Sequence, residues 1–427
     1  MKNYMPMLFS DLKRYSTSQF IKDVVAGIIV AIIALPLSIA LAIASGVGPE
    51  AGIYTAIVAG FVTAFFGGSS VQITGPTAAF ATIVAGIVVK NGTDGLMIAT
   101  IMAGIILILM GIFKLGNLIK FIPFTITTGF TAGIAVTLVV GQLKDFFGVS
   151  YLNGEAPIET VEKLEAFIHN FGATFNFESV IVGAVCLAIL FIWPKIKYLE
   201  KVPASLIAVL VGVVMVNGLG MNVNTIGTLF KVESSLPSFS LPAGISLSKI
   251  IEMFPNAVTI ALLAGIESLL SCVVADGMVG KKHSSNTELV AQGVGNIASA
   301  LFGGIPATGA IARTSANVKN GGRTPIAGMV HAVVLLVVLL LLMPYASLIP
   351  MPIIASILFI VAYNMSEWRH FVSICKTKKV VDIVILSLTF VLTVVFNLVI
   401  AIAVGLVLHY AIFFALKLIN KKKQTQN

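Results

Sequence analysis

Two ionisable side chains lie deep in segments that otherwise carry almost no charge: Glu267 in "LLAGIESLLSCVV" and Arg313 in "TGAIARTSAN". At the centre of a hydrocarbon layer each costs about 2.5–3.5 kcal/mol, so each is expected to be paired or to face water, and to carry function. Arg313 is a fixed cation whose forked donors suit an oxyanion. Glu267 differs, because a proton can neutralise a carboxylate. The plainer alternative is an ion pair between the two that only holds helices together. Ser271 stands one turn after Glu267 on the same helix face. It would orient the carboxyl, help ligate a cation, or simply pack.

The chain around these residues is broken in a repeated way. "FFGGSSVQITGPTAAF" (65–80) is echoed by "GNIASALFGGIPATGAIARTSAN", and the two Thr-Gly pairs, Thr74-Gly75 and Thr308-Gly309, lie a little over half the chain apart. "SSVQIT" and "IPA" read as short extended pieces, followed by helices beginning near Pro76 and Ala310. Extended backbone is tolerated at membrane depth only where protein buries it or it lines a watery cavity. Interrupted helices in matching halves of an inverted repeat point to a secondary transporter's site. The two helix N-termini are therefore expected to face one another. Each brings roughly +0.5 of an elementary charge and unsatisfied N–H groups, which together make an anion site. A structural kink between packed helices is the alternative. Pro36 in "IIALPLSIALA" either kinks the first span or also frees a carbonyl toward the cavity.

The charge sum suggests a coupling. Two helix ends and Arg313 give about +2, and an ionised Glu267 removes one unit. Protonating Glu267 restores the field, so proton and anion each favour the other's binding. Proton–anion symport is the expectation.

The elements that must hold this site are those of a membrane. The chain has 427 residues, 58% hydrophobic and 11% charged, with mean hydropathy +1.03; soluble domains carry about 25% charged residues. About fourteen apolar segments can be counted: 22–45, 50–67, 76–90, 94–113, 121–142, 177–194, 202–219, 250–275, 284–303, 309–320, 324–344, 347–364, 380–397 and 398–418. Seven per repeat, an odd number, inverts the second copy. The loops "FKLGNLIK", "PKIKYLEK", "GKKH", "NVKNGGR", "EWRHFVSICKTKK" and the tail "KLINKKK" are basic, while the large loop 143–176 is acidic. That alternation puts both termini in the cytoplasm and explains the net charge of +9 without nucleic acid. Residues 1–21 read as an amphipathic segment at the membrane surface, not as a cleaved signal. His331 and His409 read as hydrogen-bonded structural residues and Asp276 as solvated at the inner surface. Cys186, Cys272 and Cys375 fit no disulfide or metal spacing. No nucleophile–base pair or phosphate loop is present, so neither enzymatic activity nor a cofactor or metal is expected.

The motifs "QITGPTAAF", "AGIESLLSCVVADGMVG", "SNTELVAQGVGNIASALFGGIPATGAIARTSANVKNGGRTPIAG" and "VAYNMSEW" resemble the SulP (sulfate permease) anion transporter family, over residues 15 to 418. The resemblance implies an all-α polytopic membrane protein of 14 transmembrane segments, a 7+7 inverted repeat shared with nucleobase permeases, with half-helices at spans 3 and 10. A core domain (22–114 and 250–344) would move against a gate domain (115–219 and 345–418) like an elevator, usually in a homodimer in the cell inner or plasma membrane. The family's anion site falls on Thr74, Gly75, Pro76, Thr77 and Ala78, and on Thr308, Gly309, Ala310, Ile311, Ala312, Arg313 and Thr314, with a contribution from around Pro36. Its coupling carboxyl falls on Glu267. Glu267 with Ser271 is more similar to the proton-coupled branch, handling sulfate or C4-dicarboxylates, than to Na+-driven bicarbonate carriers, which tend to have Asp there with a hydroxyl one turn on. Na+ coupling, exchange and a channel remain the alternatives. Family members usually continue into a cytoplasmic STAS domain, whereas residues 419–427 form only a short basic tail, so that domain is expected to be absent.

Overall fold

Long runs of Ala, Val, Ile, Leu and Gly without charge leave the helix as the one structure that satisfies every backbone group inside lipid. The computed structural model describes residues 5–117, 123–152, 157–197, 202–232, 234–377, 379–396 and 400–412, and helices dominate them. In chain order these are α1 (Met7–Asp11), α2 (Thr17–Ala44), α3 (Pro49–Phe66), α4 (Ala78–Ile112), α5 (Phe124–Phe147), α6 (Thr160–Thr174), α7 (Phe177–Ile192) and α8 (Ala204–Leu219). There follow α9 (Ile226–Leu229), α10 (Leu247–Val279), α11 (Ser285–Leu301), α12 (Ile311–Lys319), α13 (Ile326–Ala346), α14 (Met351–Met365), α15 (Trp368–Lys376) and α16 (Val380–Val395). Eight helical stretches among the described residues are long and apolar enough to cross a membrane; three shorter apolar helices, Ala204–Leu219, Val380–Val395 and Ile400–Ile412, accompany them. Parts of the expected last span, of the loops around 118–122, 153–156 and 198–201, and the whole 419–427 tail lie outside the described residues.

Two breaks position the site. β1 (Thr74–Gly75) and β2 (Thr308–Gly309) pair antiparallel, Thr74 opposite Gly309 and Gly75 opposite Thr308. Within α4 the backbone turns at Gly92, with φ 68° and ψ −175°. A residue without Cβ takes that conformation at little cost. The segment from Ala78 to Asn91 is therefore a short helix of its own, close to the expected span 76–90. Its counterpart α12 is nine residues long. By contrast α2 is one helix through Pro36.

The helices pack in two groups. In one, α4 lies on α10 and α11, α3 on α11, and α2 and α3 on each other and on α13; in the other, α5 lies on α14 and α16, and α14 and α8 both lie on α7. Phe80, Ile87, Leu107, Met253 and Ile260 centre one apolar cluster, and Ile53, Cys186, Ala208, Ile353 and Leu358 another.

Two segments differ from expectation. The leading residues pack on the protein as well as presenting an apolar side: Met7 N–H donates to the Gly67 carbonyl at 2.9 Å, Leu8 is buried, and the Phe9 ring meets Phe65 edge-on at 6.1 Å. Asp23, 0% exposed, accepts from the Tyr15 hydroxyl (2.9 Å), Gln19 Nε2 (3.0 Å), Arg323 N–H (2.8 Å) and the Thr324 hydroxyl (2.6 Å). Burial and the Asp23 carboxylate push the Tyr15 hydroxyl up to about 12, so it remains a donor at any physiological pH. The expected outer loop 143–176 is largely helical. α5 runs on to Phe147, and α6 starts at a capping box in which Glu159 and Glu162 satisfy each other's backbone N–H groups. Phe167, Phe171 and Phe175 then cluster on Phe147. The two backbone N–H bonds from Ile158 and Glu159 hold the Glu162 carboxyl below its ordinary pKa.

Candidate functional site

Antiparallel pairing dictates the geometry. Each strand leads within a few residues into a helix, so the N-termini of α4 and α12 both start beside the strand pair. Ala310 N–H adds a further bond to the Ile73 carbonyl at 2.9 Å. The N-cap residues, Thr77 of α4 and Ala310 of α12, make no side-chain cap hydrogen bond, so neither covers the first-turn N–H groups behind it. Thr77 instead donates its hydroxyl to Glu267 Oε2 at 3.0 Å. Ile311, 42% exposed, and Ala312 open the start of α12 to the surroundings.

Arg313 lies beneath this crossing, 1% exposed. Nη2 donates to the Pro76 carbonyl at 2.9 Å, which ties α12 to the start of α4, while Nε and Nη1 have no hydrogen-bond partner among the described residues. No carboxylate pairs with it among those residues, so the ion pair with Glu267 is not formed. Gly75 makes room for the guanidinium: a Cβ there would collide with Arg313 Nη1.

A polar frame fixes the strands. Thr308 donates its hydroxyl to the Ala264 carbonyl (2.9 Å) and meets Ser268 Oγ (2.7 Å), and Gly309 N–H donates to Ser268 Oγ (3.0 Å). Thr314 Oγ1 accepts from Ile73 N–H at 3.0 Å and from Ser271 at 3.4 Å. Ser271 thus serves the strand frame and does not touch the Glu267 carboxyl in this arrangement. Gln292 Nε2 donates to Thr74 Oγ1 at 2.8 Å, and Asn296 holds both the carbonyl and the N–H of Ala307.

The frame's anchor is Glu288, 1% exposed, whose carboxylate accepts from Gly68 N–H (2.9 Å), Ser69 N–H (3.2 Å), Gln72 Nε2 (2.7 Å) and Gln292 Nε2 (2.9 Å). Sequence reasoning missed it, although Glu288, Gln292 and Asn296 recur every four residues on one face of an apolar helix, a readable signal. Replacing Glu288 by Ala leaves four donors unpaired in the interior, so we expect at least ~3 kcal/mol of lost stability. A lowered thermal midpoint in detergent measures it, and a fall no larger than that of an exposed substitution would show that the network is dispensable.

Two further residues singled out in the sequence lie in the interior. Pro36 is buried in an apolar cleft of about 380 Å3 with Leu35, Ile39, Ile53, Leu206 and Val209. His331 is fully buried but not hydrogen-bonded: both ring nitrogens lack partners among the described residues, and the Nδ1 edge of the ring sits towards Gly60. A larger cleft, about 620 Å3, separates α4 and α10 from α5 and α16, and reaches from Ala79 near the crossing to Lys90 and Glu159.

The whole chain can be compared with known proteins. Residues 20–389 match the model of the Sulfate permease family. YvdB of Bacillus subtilis, provisionally named a sulfate transporter, is 46% identical over 94% of this chain and 75% of its own length. The bicarbonate transporter BicA of Synechocystis is 32% identical over 90% of this chain and 68% of its own. The solved transmembrane domain of a cyanobacterial BicA superposes with a TM-score of 0.82 at 30% identity, covering 91% of this chain and 98% of that one. Murine Slc26a9 in its inward-facing state shares the fold at TM-score 0.86 and 17% identity, over 96% of this chain and 71% of that one. Family match, relatives and fold agree over nearly all of the chain, which is accordingly a member of the Sulfate permease family of anion transporters, membrane proteins and not enzymes.

Proposed function

We propose that the protein is a proton-coupled secondary transporter that holds a small anion between the N-termini of α4 and α12. One observation carries this reading: a fully buried guanidinium with two unpartnered donors and no carboxylate mate, directly under two uncapped helix starts. A buried cation left unpaired is costly. An anion recruited to the crossing balances it, and the backbone N–H groups of Ala78, Ala79, Ile311 and Ala312 are the donors within reach of such a ligand. Thr74, Gly75, Pro76 and Thr77 on one side, with Thr308, Gly309, Ala310, Arg313 and Thr314 on the other, shape the pocket. Pro36 takes no part beyond packing.

Glu267 is the proton site. Its carboxyl hangs from Thr77, the N-cap of the first half-helix, so charging and discharging it acts directly on the anion's seat. The two packing groups are the core and gate of an elevator, and the large cleft between α4/α10 and α5/α16 is the access path. The paired breaks, β1 with the helix from Ala78 to Asn91 and β2 with α12, are the matched centres of two inverted seven-span units. On this reading the chain has fourteen spans, cytoplasmic termini and, by family habit, a homodimeric assembly.

YvdB supports sulfate as the substrate; the likeness to BicA supports a second reading, Na+-driven bicarbonate uptake. Uptake of labelled sulfate, fumarate and bicarbonate into proteoliposomes, with pH and Na+ gradients imposed separately, distinguishes them. Accumulation of a dianion under an inward proton gradient is expected. Accumulation that follows Na+ alone transfers the conclusion to bicarbonate, and currents far above carrier turnover reject a carrier of either kind.

A further inference from the structure

α15 is not needed by the transport path, yet its surface is strongly sectored. Glu367 precedes it in the left-handed region, φ 45° and ψ 33°, and this bend turns α15 away from α14. On one side the helix docks onto α5 and α16: His370 lies edge-on to Phe124 at 5.4 Å, Phe371 meets Phe390 at 5.6 Å, and Ile374 is buried. The next sector, Trp368, Val372 and Cys375, is apolar and exposed. Beyond it stand Arg369, whose guanidinium lies 5.6 Å over the Trp368 ring, and Lys376, with Lys379 just past the helix end; all three are exposed.

We propose that α15 lies in the membrane–water interface and binds anionic phospholipid, its exposed apolar sector among the upper acyl carbons and Arg369, Lys376 and Lys379 on the headgroup phosphates. The order of sectors around the helix carries the argument. A helix docked on a soluble partner would need its cations anywhere; a helix lying flat needs an apolar strip bordered by cations at headgroup level, with a tryptophan at the boundary. Charge complementarity selects the lipid. Each basic residue near an anionic leaflet enriches it by about fivefold. Since α15 is fastened to α5 and α16, bound lipid would hold that packing group and leave the crossing free.

The chain has two tryptophans, Trp193 and Trp368, so a Trp193→Phe variant reports on Trp368 alone. It would be reconstituted in phosphatidylcholine vesicles containing equal mole fractions of brominated phosphatidylglycerol or brominated phosphatidylcholine, with bromines near the carbonyl end. Quenching of Trp368 should be at least about fivefold more sensitive to the anionic lipid. High salt, which needs no further variant, should remove the preference, as should Arg369→Gln, Lys376→Gln and Lys379→Gln combined, while quenching by the zwitterionic lipid persists. Equal quenching by both lipids overturns the charge selection. No quenching by either, whether because water, another protein or a second copy covers Trp368, overturns the placement.

Discussion

Replacing Glu267 by Gln should remove proton-driven accumulation and leave downhill anion movement. Gln keeps the shape and still offers an acceptor to the Thr77 hydroxyl, 3.0 Å from Glu267 Oε2 in the parent, so the half-helix start should stay in place. What disappears is the switch between a charged and a neutral side chain at the anion's seat. With one proton per anion and the membrane potential clamped at zero, each pH unit supports about tenfold accumulation; the variant should equilibrate near onefold at any gradient. Its anion affinity should also lose its pH dependence, because proton and anion binding are linked reciprocally and the partner ligand is gone. Glu267→Asp should retain coupling at reduced rate. A Gln variant that still concentrates substrate under a pH gradient would place the coupling group elsewhere, and the proposed mechanism would fail.

The helices were legible because lipid imposes one solution on an apolar run, and the polar interruptions stood out as the places where that solution is abandoned. Thr74-Gly75 and Thr308-Gly309 were visible as a repeated motif, and the structure pairs the two copies antiparallel. The frame around them was harder to see. Gln72, Ser268, Glu288, Gln292 and Asn296 lie as much as 220 residues from their partners, and no local pattern says which strand a given amide will hold. Ser271 illustrates the limit: helical spacing puts it beside Glu267, but Thr314, approaching from another element, takes its hydroxyl. Pro36 was legible only as two alternatives, a kink alone or a kink that frees a carbonyl; the structure keeps it inside α2 and packs it among aliphatic side chains. The α6 helix was hidden because its apolar face is a cluster of phenylalanines whose partner, Phe147, belongs to the preceding helix.

Arg313→Gln should weaken anion binding by about a hundredfold and leave turnover of the bound anion less affected. The estimate is electrostatic: a unit charge roughly 6 Å from the anion, at an effective dielectric near 20, contributes about 3 kcal/mol for each unit of anion charge, so a hundredfold is the lower bound for a dianion. Arg313 also holds the Pro76 carbonyl, so part of any loss is mechanical. Arg313→Lys separates the two contributions, because it keeps the charge while replacing the planar fork with a single flexible ammonium. If the field is what matters, Lys should recover most of the affinity, and KM should move much more than the maximal rate. If the strut is what matters, Lys and Gln should be equally impaired, thermal stability should fall in both, and KM should change only a few-fold. The second outcome would reduce Arg313 to a clamp between two half-helices and leave the crossing without the fixed cation on which anion selectivity depends.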